Sequence, residues 1–191
     1  MKLAGILPFA RELLKTAVSA GDIAVDATAG NGHDTLFLCG LVGRQGTVYS
    51  FDIQAEAIAA TKKRLAQHAV ADEVVQLIHD GHEKLTHYLT PAHHGQVAGA
   101  VFNLGYLPGS DKSVVTTPET TLAAIDQVLQ QLKKEGIVVL VVYHGHPEGK
   151  KERDELLPFI ASLSQEEYHV LQYGFINQRN APPFIIAIEK R

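Results

Sequence analysis

At 191 residues the chain is long enough for one well-buried core and too short for two ordinary domains, so residues 1–191 are expected to form a single domain. Its 46% hydrophobic and 20% charged residues fit a globular protein rather than a disordered one; the longest apolar run, Ile137 to Tyr143, is far below the roughly 20 residues of a membrane-spanning helix, and the N-terminal segment with Arg11, Glu12 and Lys15 lacks the order of a secretion signal, so a cytoplasmic protein is expected. The single cysteine excludes a disulfide framework and a zinc ribbon, and the net charge of -4 supplies no global attraction for nucleic acid, so an RNA substrate would need a local basic patch.

Phe9, Leu13, Leu14, Ala17 and Val18 have helical spacing after Pro8, which predicts a lead-in helix ended by Gly21. Ile23 to Ala27 reads as a short first strand running into a glycine-containing loop, with a helix beginning near His33 and Asp34. A second strand is expected over Thr47 to Asp52, a helix over Ala55 to His68, a third strand over Val74 to Ile78, and a weaker helix around Glu83 to Leu89 closed by Pro91. The fourth strand is expected at Val97 to Phe102. Thr117 followed by Pro118 starts a helix that runs to about Lys133, because threonine caps free amides and proline needs no donor in the first turn. Ile137 to Tyr143 is the fifth and most hydrophobic strand, as at a sheet centre covered on both faces. A helix from Glu152 to Leu163 and two strands, Tyr168 to Phe175 and Phe184 to Glu189, complete the chain. Strands alternating with helices imply parallel βαβ units: an α/β, doubly wound Rossmann-like sheet of seven strands, mostly parallel, with an antiparallel C-terminal hairpin.

The stretch Asp26 to Thr35 carries the strongest functional signal, because it joins a strand to a helix at the carboxyl edge of the sheet, where open α/β folds bind ligands. Gly30 and Gly32 permit positive φ and close ligand approach. A dinucleotide would put its pyrophosphate on the following helix N-terminus, where Asp26 and Asp34 would repel it, and the third fingerprint glycine is absent. S-adenosylmethionine has no phosphate, and its cationic amino and sulfonium groups suit acidic surroundings, so the loop favours it over NAD. Asp26, Thr28, Gly30, Asn31, Gly32, Asp34 and Thr35 are candidate cofactor contacts. Asp52, with Gln54, ends the second strand, where a carboxylate can accept both ribose hydroxyls; the alternative is a helix-capping aspartate before Gln54 and Ala55. Asp80, Gly81 and His82 follow the third strand near the adenine position, although an Asp-Gly turn accounts for the first pair as well.

Asn103, Leu104, Gly105 and Tyr106 are expected to follow the fourth strand, beside the topological switch point. They resemble the Asn-Pro-Pro-Tyr motif of amine methyltransferases, with Leu104 and Gly105 in place of both prolines. The resemblance implies that the Asn103 carbonyl orients an amine beside the cofactor while the Tyr106 ring packs nearby; the alternative is a loop asparagine capping local amides. No cysteine stands after a strand to attack a pyrimidine carbon, and Cys39, among Leu36, Phe37, Leu38 and Leu41, reads as core packing. Displacement onto nitrogen or oxygen remains. An alkylamine, with a pKa of about 10 like lysine, must first lose a proton, which requires a base or a dry pocket. Tyr143, His144 and His146 follow the fifth strand on the same edge and are candidates to position or deprotonate the acceptor. The two histidines read alternatively as metal ligands or a surface pair; no cysteine or well-spaced acid completes a metal set, so no metal is expected.

Across nearly its whole length the chain is similar to the rRNA methylase family of class I S-adenosylmethionine-dependent methyltransferases. The likeness rests on Asp-Ala-Thr-Ala-Gly-Asn-Gly-His-Asp-Thr at 26 to 35, Asn-Leu-Gly-Tyr-Leu-Pro-Gly at 103 to 109, Thr-Thr-Pro-Glu-Thr-Thr at 116 to 121, Tyr-His-Gly-His-Pro at 143 to 147 and Pro-Pro-Phe near the C-terminus. Characterised members methylate the aminomethyl group of 5-aminomethyl-2-thiouridine at the tRNA wobble position. The resemblance therefore implies methyl transfer to a primary amine in the anticodon loop of tRNA, by a homodimer. Lys112, Lys150, Lys151, Arg153 and Arg179 are then candidates to meet phosphates, and Tyr106, Lys112, His146 and Arg179 to bind the substrate; charged loop residues are also commonly just solvated. Three rival readings are a methyltransferase acting on a small amine or hydroxyl, an NAD-dependent dehydrogenase resting on Gly30, Gly32 and Asp52, and a non-catalytic nucleotide-binding module.

Overall fold

The computed structural model describes residues 2–105 and 116–191. Helix α1 (Ile6–Ala17) precedes β1 (Ile23–Asp26), α2 (His33–Val42), β2 (Thr47–Asp52), α3 (Ala55–Gln67) and β3 (Val75–His79). A 3-10 turn leads into the short α4 (Leu85–Tyr88), followed by β4 (Val97–Leu104), α5 (Pro118–Gln131), β5 (Leu132–Val142), α6 (Pro147–Ala161), β6 (Tyr168–Tyr173) and β7 (Phe184–Lys190). The strands form one seven-stranded sheet in the order β3-β2-β1-β4-β5-β7-β6. Strands β1 to β5 are mutually parallel and β7 runs antiparallel to both neighbours, which bears out the expected doubly wound sheet with its C-terminal hairpin. The winding reverses between β1 and β4, which opens the crevice at the strand ends.

Alternation along the strands divides the core into two layers. Val25, Tyr49, Phe51, Phe102 and Leu140 pack under α5 and α6 with Ile125, Val128, Leu156 and Ile160. Ala24, Val48, Val101 and Val139 pack under α1 and α2 with Leu14, Leu38, Cys39 and Val42. Helix α1 lies close on the sheet because β4 carries Gly99, where a Cβ would come within 2.5 Å of Val18 Cγ2. Cys39 is buried in this second layer, and burial, followed by the charge of Asp26, pushes its thiol pKa up to about 12, as suits an inert packing cysteine.

Four boundaries differ from the sequence reading. Helix α1 begins at Ile6, so Pro8 sits inside its first turn, where the missing N–H has no intrahelical partner to lose. Strand β4 continues through Asn103 and Leu104, which pair with Val141 and Val142, so Asn103 belongs to the strand and not to a following loop. Strand β5 starts at Leu132: its polar opening is hidden from a hydrophobicity reading because a register shift lies between the Val97–Leu132 and Gly99–Ile137 pairs, and Lys133 is tied to Asp22 at 2.7 Å. Helix α6 starts at Pro147, five residues before the expected Glu152, because the His146 ring caps it by accepting from Gly149 N.

Candidate functional site

The end of β1 and the start of α2 are joined by a tight turn braced against its neighbours: Ala27 N donates to Val101 O at 2.9 Å and Ala29 N to Phe51 O at 2.8 Å. Gly32 closes the turn at φ 74°, and a Cβ there would lie 2.8 Å from Thr61 Cα, so both conformation and space exclude a side chain. From α3, Arg64 Nε donates to Asn31 O at 2.5 Å. Beneath the turn the Asp26 carboxylate is wholly buried, accepting from Thr35 Oγ1 at 2.6 Å and Thr28 N at 3.1 Å, while the Thr35 and Ser50 hydroxyls share a bond of 2.9 Å. Burial first and the charge of Asp34 second push the Asp26 pKa up to about 7, against the hydrogen bonds from Thr35 and Thr28, with Asp52 adding a smaller upward push. Of the seven loop residues expected to touch the cofactor, Thr28, Gly30, Asn31 and Asp34 line the cleft; Asp26, Gly32 and Thr35 lie outside its lining and hold the turn from below.

The cleft encloses about 860 Å³, within the range of small-molecule sites. At its β2 end Asp52 accepts from Gly30 N at 2.9 Å through one oxygen and from Gln54 N at 2.9 Å through the other. Each carboxylate oxygen has two lone pairs, so one remains on each for a diol. At the β3 end, Asp80 accepts from Lys84 Nζ at 2.6 Å, Tyr88 OH at 2.8 Å and Gly81 N at 2.8 Å, and these bonds, Lys84 first, pull its pKa down to about 2. His82 Nδ1 meets the Ala27 carbonyl at 2.9 Å, so that nitrogen carries the proton; burial lowers the ring's pKa and keeps it neutral. Asp52, Gln54, Asp80, Gly81 and His82 all line the cleft as expected. Carboxylates at Asp34, Asp52 and Asp80 suit a cationic adenosyl ligand and its hydroxyls, and are poorly matched to a pyrophosphate.

Asn103, Gly105, Thr116, Tyr143 and His146 also line the cleft. The Asn103 main chain is pinned by N–H donation to Thr28 Oγ1 at 2.7 Å, and its Nδ2 donates to Asp34 Oδ2 at 2.9 Å. Gly105 and Thr116 bond reciprocally, Gly105 N to Thr116 Oγ1 at 3.2 Å and Thr116 N to Gly105 O at 3.3 Å. The Tyr143 hydroxyl pKa is raised by burial and then by Asp34. His144 does not line the cleft: its Nε2 meets the Pro182 carbonyl at 3.0 Å and its Nδ1 the Arg153 guanidinium at 3.3 Å, an arrangement that commits both ring nitrogens and removes it from the expected role of base. His146 reaches the cleft wall while capping α6. Tyr106 and Lys112 lie outside the described residues. Arg179 is exposed on the loop that supplies Ala181 and Pro183 to the cleft; Lys151 faces Glu119 and Glu155 at 3.9 Å each, Arg153 pairs with Asp154 at 2.6 Å, and Lys150 is exposed.

Two elements were missed by the sequence reading. Arg11 of α1 lines the cleft, and its Nε and Nη2 both reach Asp34 Oδ1, at 3.1 and 2.9 Å. Its partner is 23 residues away, so no local motif marks it. Glu152 is 2% exposed and accepts from Thr121 Oγ1 at 2.6 Å and Thr116 Oγ1 at 2.8 Å, which ties α6 to α5 and to the edge of the cleft. A signal for it exists: Glu152, Leu156 and Ile160 stand at helical spacing on one buried stripe.

Comparison with known proteins identifies the family and agrees with the fold. The family described as Putative rRNA methylase matches residues 48–189. The chain is 34% identical over 180 residues to the chloroplastic tRNA (mnm(5)s(2)U34)-methyltransferase of Arabidopsis thaliana, covering 91% of this chain; it spans 65% of that relative's length. A putative rRNA-methylase from Clostridium thermocellum is 40% identical with a TM-score of 0.95, each chain covered in full. A putative methyltransferase from Streptococcus mutans, solved in complex with SAH, is 39% identical with a TM-score of 0.89 over 99% of both chains.

Proposed function

Because this chain belongs to the Putative rRNA methylase family, we propose that it methylates tRNA, converting the aminomethyl group of wobble 5-aminomethyl-2-thiouridine to methylaminomethyl by direct displacement. It is an S-adenosylmethionine-dependent methyltransferase, and S-adenosylmethionine is its cofactor; the proposal concerns the acceptor. The observation that carries it is the Asn103 carboxamide, whose NH₂ is committed to Asp34 while the residue lines the cleft beside the switch point. Its oxygen is then left to accept a hydrogen from an incoming amine and aim the nitrogen lone pair. The Arabidopsis relative, a tRNA (mnm(5)s(2)U34)-methyltransferase, supports a wobble uridine as the carrier of that amine.

The cofactor, when bound, supplies a methyl group on a sulfonium. Around it, Asp52 with its two free lone pairs suits the ribose, Asp80 the adenine edge, and Asp34 the cationic end. An ammonium entering between Asn103 and Tyr143 loses water and approaches a second positive charge, and both effects favour its neutral, nucleophilic form. Arg179, on the loop that closes the acceptor side, is the cation best placed to meet an RNA phosphate. We include homodimerisation in the proposal: β6 is the edge strand of the sheet and carries Val170 and Leu171 at 44% and 45% exposure, an apolar edge of the kind a second copy covers. Sedimentation of the free chain at the mass of a dimer is the expected result.

The test is incubation with labelled S-adenosylmethionine and bulk tRNA lacking the modification, followed by mass analysis of nucleosides. Methylaminomethyl uridine is the expected product. Absence of incorporation by an enzyme that binds S-adenosylhomocysteine would overturn the tRNA assignment and direct the search to small amines or hydroxyls.

A further inference from the structure

We infer that Arg11 is a positioning residue for methyl transfer, acting through Asp34 to hold the Asn103 carbonyl toward the acceptor; the inference rests on the reading of Asn103 as the amine's partner. Three observations carry it. First, Asp34 is shared between two donors on opposite oxygens, with Arg11 Nε and Nη2 on Oδ1 and Asn103 Nδ2 on Oδ2. A carboxylate only accepts hydrogen bonds, so the asparagine must present its nitrogen to Asp34, and the planar amide then points its oxygen along the other arm. Asp34 thereby selects one of the two amide orientations, and turning the amide over would set oxygen against oxygen.

Second, Asp34 would be poorly held without Arg11. It stands with Asp26 and Asp52 in a group of like charges, and its field is felt at both Asp26 and Tyr143. The contact from Arg11, with both nitrogens on Oδ1, anchors that oxygen, leaves Oδ2 to Asn103 and supplies the local counter-charge. Third, Arg11 is itself held: its guanidinium carbon lies 5.2 Å from the centre of the Phe37 ring on α2. Helix α1, which packs on β4 and β5, thus reaches the first turn of α2, which carries Asp34, and through Asp34 acts on a residue of β4. Arg11 is 38% exposed at its side chain, so its substitution is expected to leave the fold intact, which the Tm of the variant checks.

The test is a double-mutant cycle on the full chain, with purified tRNA lacking the modification as acceptor. Arg11→Met keeps the aliphatic stem against Phe37 and removes both donors; it is expected to lower kcat about tenfold, with the affinity for S-adenosylhomocysteine within about twofold of the parent. Arg11→Lys restores the charge without the fork and recovers part of the loss. In an Asn103→Ala background Arg11→Met costs less than about twofold, since the residue it positions is gone. An equal fold-loss in both backgrounds, or a loss of cofactor affinity in place of kcat, overturns the inference and assigns Arg11 to helix packing or to the cofactor. A readout that needs no acceptor separates this from the substrate proposal: the Asn103 side-chain NH₂ signals of the ¹⁵N-labelled chain with S-adenosylhomocysteine bound. They are expected to be shifted and slow to exchange in the parent and averaged in Arg11→Met, and unchanged signals overturn the inference whatever the acceptor is. Full turnover by Asn103→Ala would instead defeat the reading of Asn103 and leave the NMR result to decide Arg11.

Discussion

The two halves of the cleft are built differently. The cofactor side comes from three consecutive strand ends within the stretch 26 to 82, and its acids are each held from below by two or more donors: Asp26 by Thr28 and Thr35, Asp52 by Gly30 and Gln54, Asp80 by Gly81, Lys84 and Tyr88. The acceptor side gathers Asn103, Thr116, Tyr143, His146, Ala181 and Pro183 from separated segments, tied by single contacts such as the Gly105–Thr116 pair and the Thr116–Glu152 bond. The first half is braced at every acid; the second is an assembly whose parts can be disturbed one at a time. Preorganised sites lose affinity when broken, and assembled ones lose rate.

The sharpest way to separate them is to remove one residue from each. Asn103→Ala takes away the acceptor for the amine hydrogens and is expected to lower kcat by about a hundredfold while changing cofactor affinity by less than about threefold. Isotope-release kinetics at saturating cofactor together with calorimetry of S-adenosylhomocysteine binding check this, and equal losses in both would merge the two halves into one. Asp52→Ala is the mirror case. It removes the acceptor for the ribose hydroxyls and the partner of Gly30 N, so affinity for S-adenosylhomocysteine is expected to fall by about thirtyfold, with kcat recovered at high cofactor concentration.

The pH dependence of cofactor affinity is set by the cofactor half. The folded pKa of Asp26 is raised from 3.8 to about 7, so the folded free enzyme binds the extra proton between those values, and its stability falls as pH rises through that window. A cationic cofactor favours the carboxylate and expels the proton. Affinity for S-adenosylmethionine should therefore fall as pH drops below about 7, by up to about tenfold per unit, and level off above it. The uncharged sulfur of S-adenosylhomocysteine should give a shallower slope, and Asp26→Asn should flatten both. A slope that survives in Asp26→Asn would move the titration to another group.

The same division explains how much of the molecule could be read in the sequence. The succession of strands and helices along the chain and the run from Asp26 to Thr35 were legible because strand, turn and helix are contiguous there and the glycines mark the bend. What sequence did not reveal was direction. Asp26 and Thr35 occupy motif positions yet face the α1 and α2 side beneath the turn, because a strand alternates its faces and Asp26 shares the face of Ala24. Asn103 was placed one element late because a polar residue looks like the end of a strand, whereas backbone pairing to Val141 continues through it. His144 was chosen because it follows the fifth strand on the same edge and carries an imidazole, and its ring turns instead to Pro182 and Arg153. Arg11 and Glu152 escaped because the partners that give them meaning are far along the chain.

On the acceptor side, Glu152→Gln tests whether the buried acid matters to substrate or only to fold. Both Thr116 and Thr121 donate to the carboxylate, and an amide offers one oxygen where two are used, so one hydroxyl must turn over. The expected cost is about 1–3 kcal/mol, seen as a lower Tm, with a few-fold rise in KM for the acceptor as the Gly105–Thr116 contact loosens. Cofactor affinity should stay within about twofold. A change in cofactor affinity of similar size would show that the two halves share a strut through His82, whose ring feels the charge of Glu152.

The smallest expected effect probes the outer rim. Arg179 is exposed on a loop with no acid bonded to it among the described contacts, while Lys151 and Arg153 on α6 are drawn into pairs with Glu119, Glu155 and Asp154. A cation held by a neighbouring acid has less to offer a phosphate, so the rim should depend more on Arg179 than on the larger cluster. Arg179→Ala is expected to raise KM for tRNA about threefold, leave kcat unchanged, and reduce the slope of log affinity against log salt by about 0.7, the release of counterion at one single-stranded phosphate. Lys151→Ala serves as the contrast and should change that slope by less. If the two substitutions act equally, the tRNA lies across α6 as well as the Arg179 loop; if only Lys151 matters, the substrate enters from the α6 side, and the Arg179 loop serves the apolar wall of Ala181 and Pro183 alone.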